Sequence, residues 1–225
     1  MVLLVIVVVG IVAQNDTAPE TMPVPSASGA PNAGEQSEAP QLSQLARRDP
    51  ADAAAMGSID APVVLIEYAD FRCAYCAVFA NEVMPQIVSK YVESGQLRVE
   101  WRDAPVLGNT SPDAAIAAHA AGAQGLFWPY AEALYAASPT SKTEWTRDAL
   151  VSVAGTVPGL DVAAFTVALD DPAHAQRVAR EAQETASIGV TSTPTFVVGN
   201  QAVRGAQPIE AFREVIEQEL AAAKL

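Results

Sequence analysis

The chain carries two cysteines, Cys73 and Cys76, with Ala74 and Tyr75 between them. Chance would give two cysteines this spacing about once in a hundred chains of this length, so the C-x-x-C pair is informative before any context is added. Its context narrows the fold further. Pro62 to Tyr68 contains the continuous apolar run Val63, Val64, Leu65 and Ile66, the pattern of a buried strand. A helical pattern follows from about Cys73 to Val92, and Pro85 should kink it by removing one backbone donor. The pair therefore opens a helix directly after a buried strand. Unpaired amide N–H groups and the dipole at that helix end favour a thiolate on Cys73, which makes it the nucleophile and Cys76, one turn inside, the resolving thiol.

Two other uses of the cysteines fit less well. A permanent bridge across so short a loop removes little entropy from the unfolded chain. A zinc site would need His119 or His174, which lie far apart in a helical region and lack ligand spacing to the cysteines. Both histidines are expected as surface or hydrogen-bonded packing residues.

The 225 residues include 26 acidic and 13 basic ones, for a net charge of −13. That balance repels nucleic acid and anionic lipid, and it favours solubility. Half the residues are apolar, so the chain can build a core, but the first aromatic residue is Tyr68. Val2 to Ala13 is apolar apart from Gly10, shorter than the roughly 20 residues of a spanning helix. Residues 1–13 are expected as a signal or anchor segment, with membrane contact through that segment alone, although no basic flank precedes it. Residues 14–50, polar and proline-rich, are expected as a disordered tether with a root-mean-square reach of roughly 30 to 37 Å. Residues 51–225 are expected as the folded domain.

Within that domain a second strand runs from Gln96 to Trp101, where Leu97, Val99 and Trp101 alternate with Arg98 and Glu100. From Ser111 to about Ile188 the pattern is helical and alanine-rich, with starts at Ser111, at Ser141 to Glu144, and at Asp171 before Pro172. Thr195 to Val198 and Gln201 to Arg204 form a hairpin around Gly199 and Asn200, and Pro208 to Lys224 closes as an amphipathic helix.

The segment IEYADFRCAYC, Ile66 to Cys76, followed by Phe79 and Pro85, resembles the exported DsbA-like thiol-disulfide oxidoreductases of the thioredoxin superfamily. So does GVTSTPTFVVGN, Gly189 to Asn200, and GLFWPYAEALY, Gly125 to Tyr135, is similar to that group's helical insertion. The resemblance spans about residues 45–224. It implies an α/β thioredoxin fold with an inserted all-helical domain at about 105–188. It implies a cis peptide between Thr193 and Pro194 beside the dithiol, where Thr193 offers backbone to an extended substrate. It also makes Glu67 the buried acid that moves protons to and from Cys76. On the residues alone, Glu67 as a strand-end acid paired with Arg98 or Arg102 stays open.

The implied activity is thiol-disulfide exchange with cysteine-containing exported proteins, in an extracytoplasmic setting. It needs no cofactor beyond the cysteine pair, and a membrane redox partner recycles the dithiol. A reductase or isomerase kept reduced by such a partner is the alternative within the same chemistry, and a non-redox binding module the alternative outside it. Most of the family has proline after the first cysteine, and strongly oxidising members often have histidine next. Ala74 and Tyr75 stand there instead, which predicts a weaker oxidant, while Arg72 offers a compensating charge if it is not merely solvated.

Overall fold

A computed structural model describes residues 41–138 and 143–224. The apolar segment at 1–13 and most of the tether lie outside the described residues.

Five strands form one mixed sheet: β1 (Ala55–Met56), β2 (Val63–Ala69), β3 (Leu97–Asp103), β4 (Thr195–Val198) and β5 (Gln201–Arg204), in the order β1-β3-β2-β4-β5. β2 and β3 pair in parallel, and the other neighbours pair antiparallel. The parallel pair is joined by a helical crossover, as two parallel strands require. That crossover is α1 (Ala74–Val78) and α2 (Met84–Ile87), each followed by a π-helical turn, Phe79–Val83 and Val88–Val92. The predicted disturbance at Pro85 thus appears as a wide turn directly before it, in which the Met84 N–H donates to the Phe79 carbonyl.

Side chains alternate across β2. Val63 and Leu65 face this crossover and α8 (Ile209–Ala222), packing with Phe79, Ile87, Phe196 and Phe212. Val64, Ile66 and Tyr68 face the other way, onto Leu42, Leu45 and Ala46. The described part of the expected tether therefore needs correction. Residues 42–45 form a 3-10 turn, and the Arg47 and Arg48 N–H groups donate to Glu100 at 2.9 and 2.8 Å. Apolar contact and buried charge pairing hold residues 42–48 on the sheet, so this end of 14–50 is part of the fold.

The same layer explains a second difference. The charged positions that alternate along β3 do not face solvent: Arg98, Glu100 and Arg102 are all buried. Glu100 accepts from Arg98 at 3.0 Å and from Arg102 at 2.8 Å, and Arg102 also reaches Glu184 at 3.2 Å.

Between β3 and β4 lie α3 (Ser111–Gly122), α4 (Phe127–Ala137), α5 (Arg147–Ala154), α6 (Val162–Ala168) and α7 (Pro172–Ser187), the inserted helical domain. Alanines of α3 let Phe127, Tyr130, Leu134 and Phe165 approach closely in its core. α5 begins at Arg147, capped by the Thr146 hydroxyl, later than the predicted start at 141–144, of which 141–142 lie outside the described residues. Asp171 caps α7 as its sequence suggests. Among the described residues no helix is long and apolar enough to cross a membrane.

Candidate active site

Cys73 is the N-cap of α1, and its Sγ accepts the Cys76 N–H at 3.4 Å. The turn before it is tightly held. The Cys73 N–H donates to the Asp70 carbonyl at 3.0 Å. The Asp70 carboxylate accepts the Arg72 and Leu107 N–H groups at 2.8 and 2.9 Å. Both cysteines are free thiols, and Cys73 is only 6% exposed while Cys76 is fully buried.

The two sulfurs differ in acidity. A hydrogen bond from the Cys76 thiol, opposed by burial and reinforced by Thr193 and the Cys76 and Tyr75 amides, brings Cys73 down to about 6. Burial, and then the hydrogen bond and charge of Cys73, push Cys76 well up. A thiolate near neutral pH therefore forms on Cys73, and Cys76 stays protonated.

The structure brings Thr193 and Pro194 to this pair. Their peptide bond is cis, and Cys73 Sγ donates to the Thr193 carbonyl at 3.3 Å. β4 begins immediately after Pro194, so the loop ending in Thr193 is anchored by the central sheet.

Glu67 is 1% exposed and stands in register between Trp101 of β3 and Phe196 of β4. Its Oε1 has no hydrogen-bond partner among the described residues. Burial, with a smaller effect of the Cys73 charge, raises its carboxyl to about 8. The alternative pairing with Arg98 or Arg102 is overturned. Those side chains lie on the opposite face of β3 from Trp101 and bond Glu100 and Glu184.

Several residues of the site carry no obvious sequence signal. Tyr135 of α4 is buried and donates to the Asp70 carbonyl at 3.5 Å, and its ring packs on Phe71. Arg72 is neither solvated nor bonded to the sulfur. It donates to the Thr143 and Leu107 carbonyls at 3.1 and 2.8 Å and to Glu144 at 2.7 Å, tying the cysteine turn to the insertion. His119 bonds Asp103 at 2.6 Å inside the core, and His174 is half-buried, its acidity raised mainly by burial.

A low-acidity buried thiol behind an activated one, a buried carboxyl and a thioredoxin-type sheet with a helical insertion define a thiol-disulfide oxidoreductase. A family model described as Thioredoxin matches residues 50–218. Disulfide bond formation protein D of Bacillus subtilis (strain 168) is 24% identical over 168 residues, covering 73% of this chain and 76% of that protein. The crystal structure of Wolbachia pipientis alpha-DsbA1 superposes with a TM-score of 0.68 at 21% identity, over 81% of this chain and 97% of that one. A Na(+)/H(+) antiporter NhaA of Herminiimonas arsenicoxydans is 34% identical over 161 residues, but the match spans 24% of that protein's length. The chain belongs to the thioredoxin family.

Proposed function

We propose that the protein is an extracytoplasmic oxidant of protein thiols that promotes disulfide formation in exported proteins and is recharged by a membrane redox partner. The observation that carries this reading is the split between the sulfurs: Cys73 brought down to about 6, and Cys76 buried and pushed up. In the oxidised protein a substrate thiolate attacks Cys73, breaking the Cys73–Cys76 bond and forming a mixed disulfide. Cys76 leaves as a buried sulfur that needs a proton, and Glu67, still largely protonated at neutral pH, supplies it. A second substrate thiolate then attacks the substrate sulfur and releases Cys73 as a thiolate. The substrate loses two electrons and the dithiol gains them. Thr193 supports the substrate as an added strand, and Tyr75, 68% exposed beside the sulfur, offers it an apolar contact. The catalytic roles fall to Cys73, Cys76 and Glu67, with Thr193 and Pro194 holding substrate, and the cysteine pair is the whole redox group.

A Cys73 acidity of about 6 lies between roughly 7 for thioredoxin and roughly 3.5 for DsbA. A stabler thiolate makes a stronger oxidant, so the potential should fall between roughly −270 and −120 mV. Equilibration of the dithiol with glutathione tests this, followed by oxidation of a reduced, unfolded protein. A potential above about −200 mV with catalysed oxidation supports the proposal. A potential near −270 mV points to the reductase or isomerase. Absence of any exchange leaves only a binding module.

A further inference from the structure

Between α4 and the helical crossover lies a cleft of about 340 Å³, within the range of small-molecule sites, about 300 to 1,000 Å³. It opens at the exposed residues Pro85, Ser89, Glu93 and Glu132 and ends at buried Glu67. Trp101, Trp128 and Tyr135 supply aromatic walls, and Met56 and Met84 also line it. Three lining residues are carboxylic acids, and none is Lys, Arg or His. Glu67 Oε1 and Trp128 Nε1 are buried there without a hydrogen-bond partner among the described residues. Buried polar atoms ordinarily find partners, so the Glu67 oxygen at the end of the cleft marks a place for a donor, while the Trp128 N–H, which no ammonium satisfies, is left to water.

The walls decide what that donor is. An anion would meet three carboxyl groups and no counter-charge. A neutral apolar molecule would leave the Glu67 oxygen unsatisfied. A primary ammonium on a short apolar stem serves both parts of the cleft, since its N–H groups bond a carboxylate and its charge is attracted to aromatic faces. We propose that this cleft binds small organic primary amines as ammonium ions, with the nitrogen at Glu67 and the stem along Trp101 and Trp128.

The groups facing Glu67 are the Cys73 and Cys76 sulfurs from α1 and its cap and Tyr135 from α4, with Glu93 and Glu132 at the mouth. None is cationic. Trp101 and Phe196 flank it in the sheet. An ammonium therefore selects the carboxylate form of Glu67, and its affinity rises with pH as that carboxyl ionises. A bound amine also withdraws the proton that Glu67 supplies to Cys76. This last consequence rests on the proton role proposed above, whereas binding does not.

The test uses the full-length reduced protein, with methyl-labelled methionine and indole-labelled tryptophan followed by NMR, titrated with benzylamine. The Met56 and Met84 methyl signals and the Trp128 indole signal should shift, while the indole signal of Trp145, which does not line the cleft, stays. Affinity should rise roughly fivefold or more from pH 6 to pH 8, and uncharged benzyl alcohol should bind about tenfold more weakly. Glu67→Gln should remove the pH dependence, and Glu132→Gln, an exposed change that spares the fold, should weaken binding about twofold. Equal binding of benzyl alcohol, pH-independent affinity in the parent protein, shifts confined to other regions, or no shifts at all would each overturn the site. Because binding is read without turnover, a failed exchange assay leaves this result independent.

Discussion

The Cys73 sulfur lies 3.3 Å from the Thr193 carbonyl oxygen, across 120 positions of sequence. As a thiol, Cys73 donates to that oxygen. Once ionised it has no proton to give, and the carbonyl becomes free for the N–H of a substrate strand. In the reduced protein, ionisation of Cys73 therefore frees the Thr193 carbonyl, and in the disulfide form, where Cys73 bears no proton, that carbonyl is free as well.

The first prediction concerns that ionisation. Alkylation of Cys73 by iodoacetamide, followed by mass spectrometry from pH 4 to 10, should show a midpoint near 6, and Cys76 should stay unmodified through neutral pH. A Cys73 midpoint near 9, the ordinary value, would mean that the bonds from the Cys76 thiol and the Cys76 and Tyr75 amides do not act on the sulfur.

Glu67 makes stability depend on pH. Its folded-state acidity, about 8, lies above the unfolded value of 4.5, so the folded protein holds a proton that the unfolded chain has lost between those values. The proton's contribution is fully present below pH 4.5 and disappears as pH rises through 8. Glu67→Gln should therefore gain stability relative to the parent as pH rises, by on the order of a few kcal/mol at pH 8. Urea denaturation of the reduced proteins at pH 5 and pH 8 measures the difference. A gap that does not grow with pH contradicts an unpaired buried carboxyl.

Arg72 provides a separate test, because it holds the turn without touching the sulfur. Arg72→Ala strands the Thr143 and Leu107 carbonyls and should cost about 1 to 3 kcal/mol. Gly108→Ala should disturb the same clamp, since φ is +134° there and a Cβ would sit 2.0 Å from Arg72 Nη1. Thermal melts report the loss, while the Cys73 alkylation midpoint should stay in place. A midpoint that moves upward would show that the guanidinium charge reaches the thiolate.

At the other face of the sheet, Glu100 is held down to about 2. Burial opposes this, but the Arg47 and Arg48 amides and the Arg102 and Arg98 side chains outweigh it. A depressed acid contributes stability above its unfolded value of 4.5, and that contribution is lost as pH falls through 2. Acid unfolding should be steep over this window and flatter in Glu100→Gln. That variant should also lose about 3 to 5 kcal/mol at neutral pH, because Arg98 remains buried without its carboxylate and Arg102 keeps only Glu184.

Much of this was written plainly in the chain. The strand, C-x-x-C and helix order, the hairpin at Gly199 and Asn200, and the alanine-rich insertion rest on local patterns that the fold preserves. Glu67 was placed by resemblance, and its solitude became visible only when the β2 and β3 register put Trp101 beside it and Arg98 and Arg102 on the far face. Arg98, Glu100 and Arg102 misled because alternation cannot show that residues 42–48 and α7 cover their face. Arg72 and Tyr135 were hidden for a related reason: their partners lie on the insertion or across 65 or more positions.

Cys73 is the sulfur that exchanges with substrate, and Cys76 is the buried sulfur that leaves. Each single-cysteine variant, Cys76→Ser and Cys73→Ser, can be mixed with glutathione disulfide at pH 7 and its intact mass followed over time. Cys76→Ser should gain one glutathione rapidly, on Cys73, while Cys73→Ser should remain unmodified over the same period. Equal rates, or faster modification of Cys76 in Cys73→Ser, would contradict it.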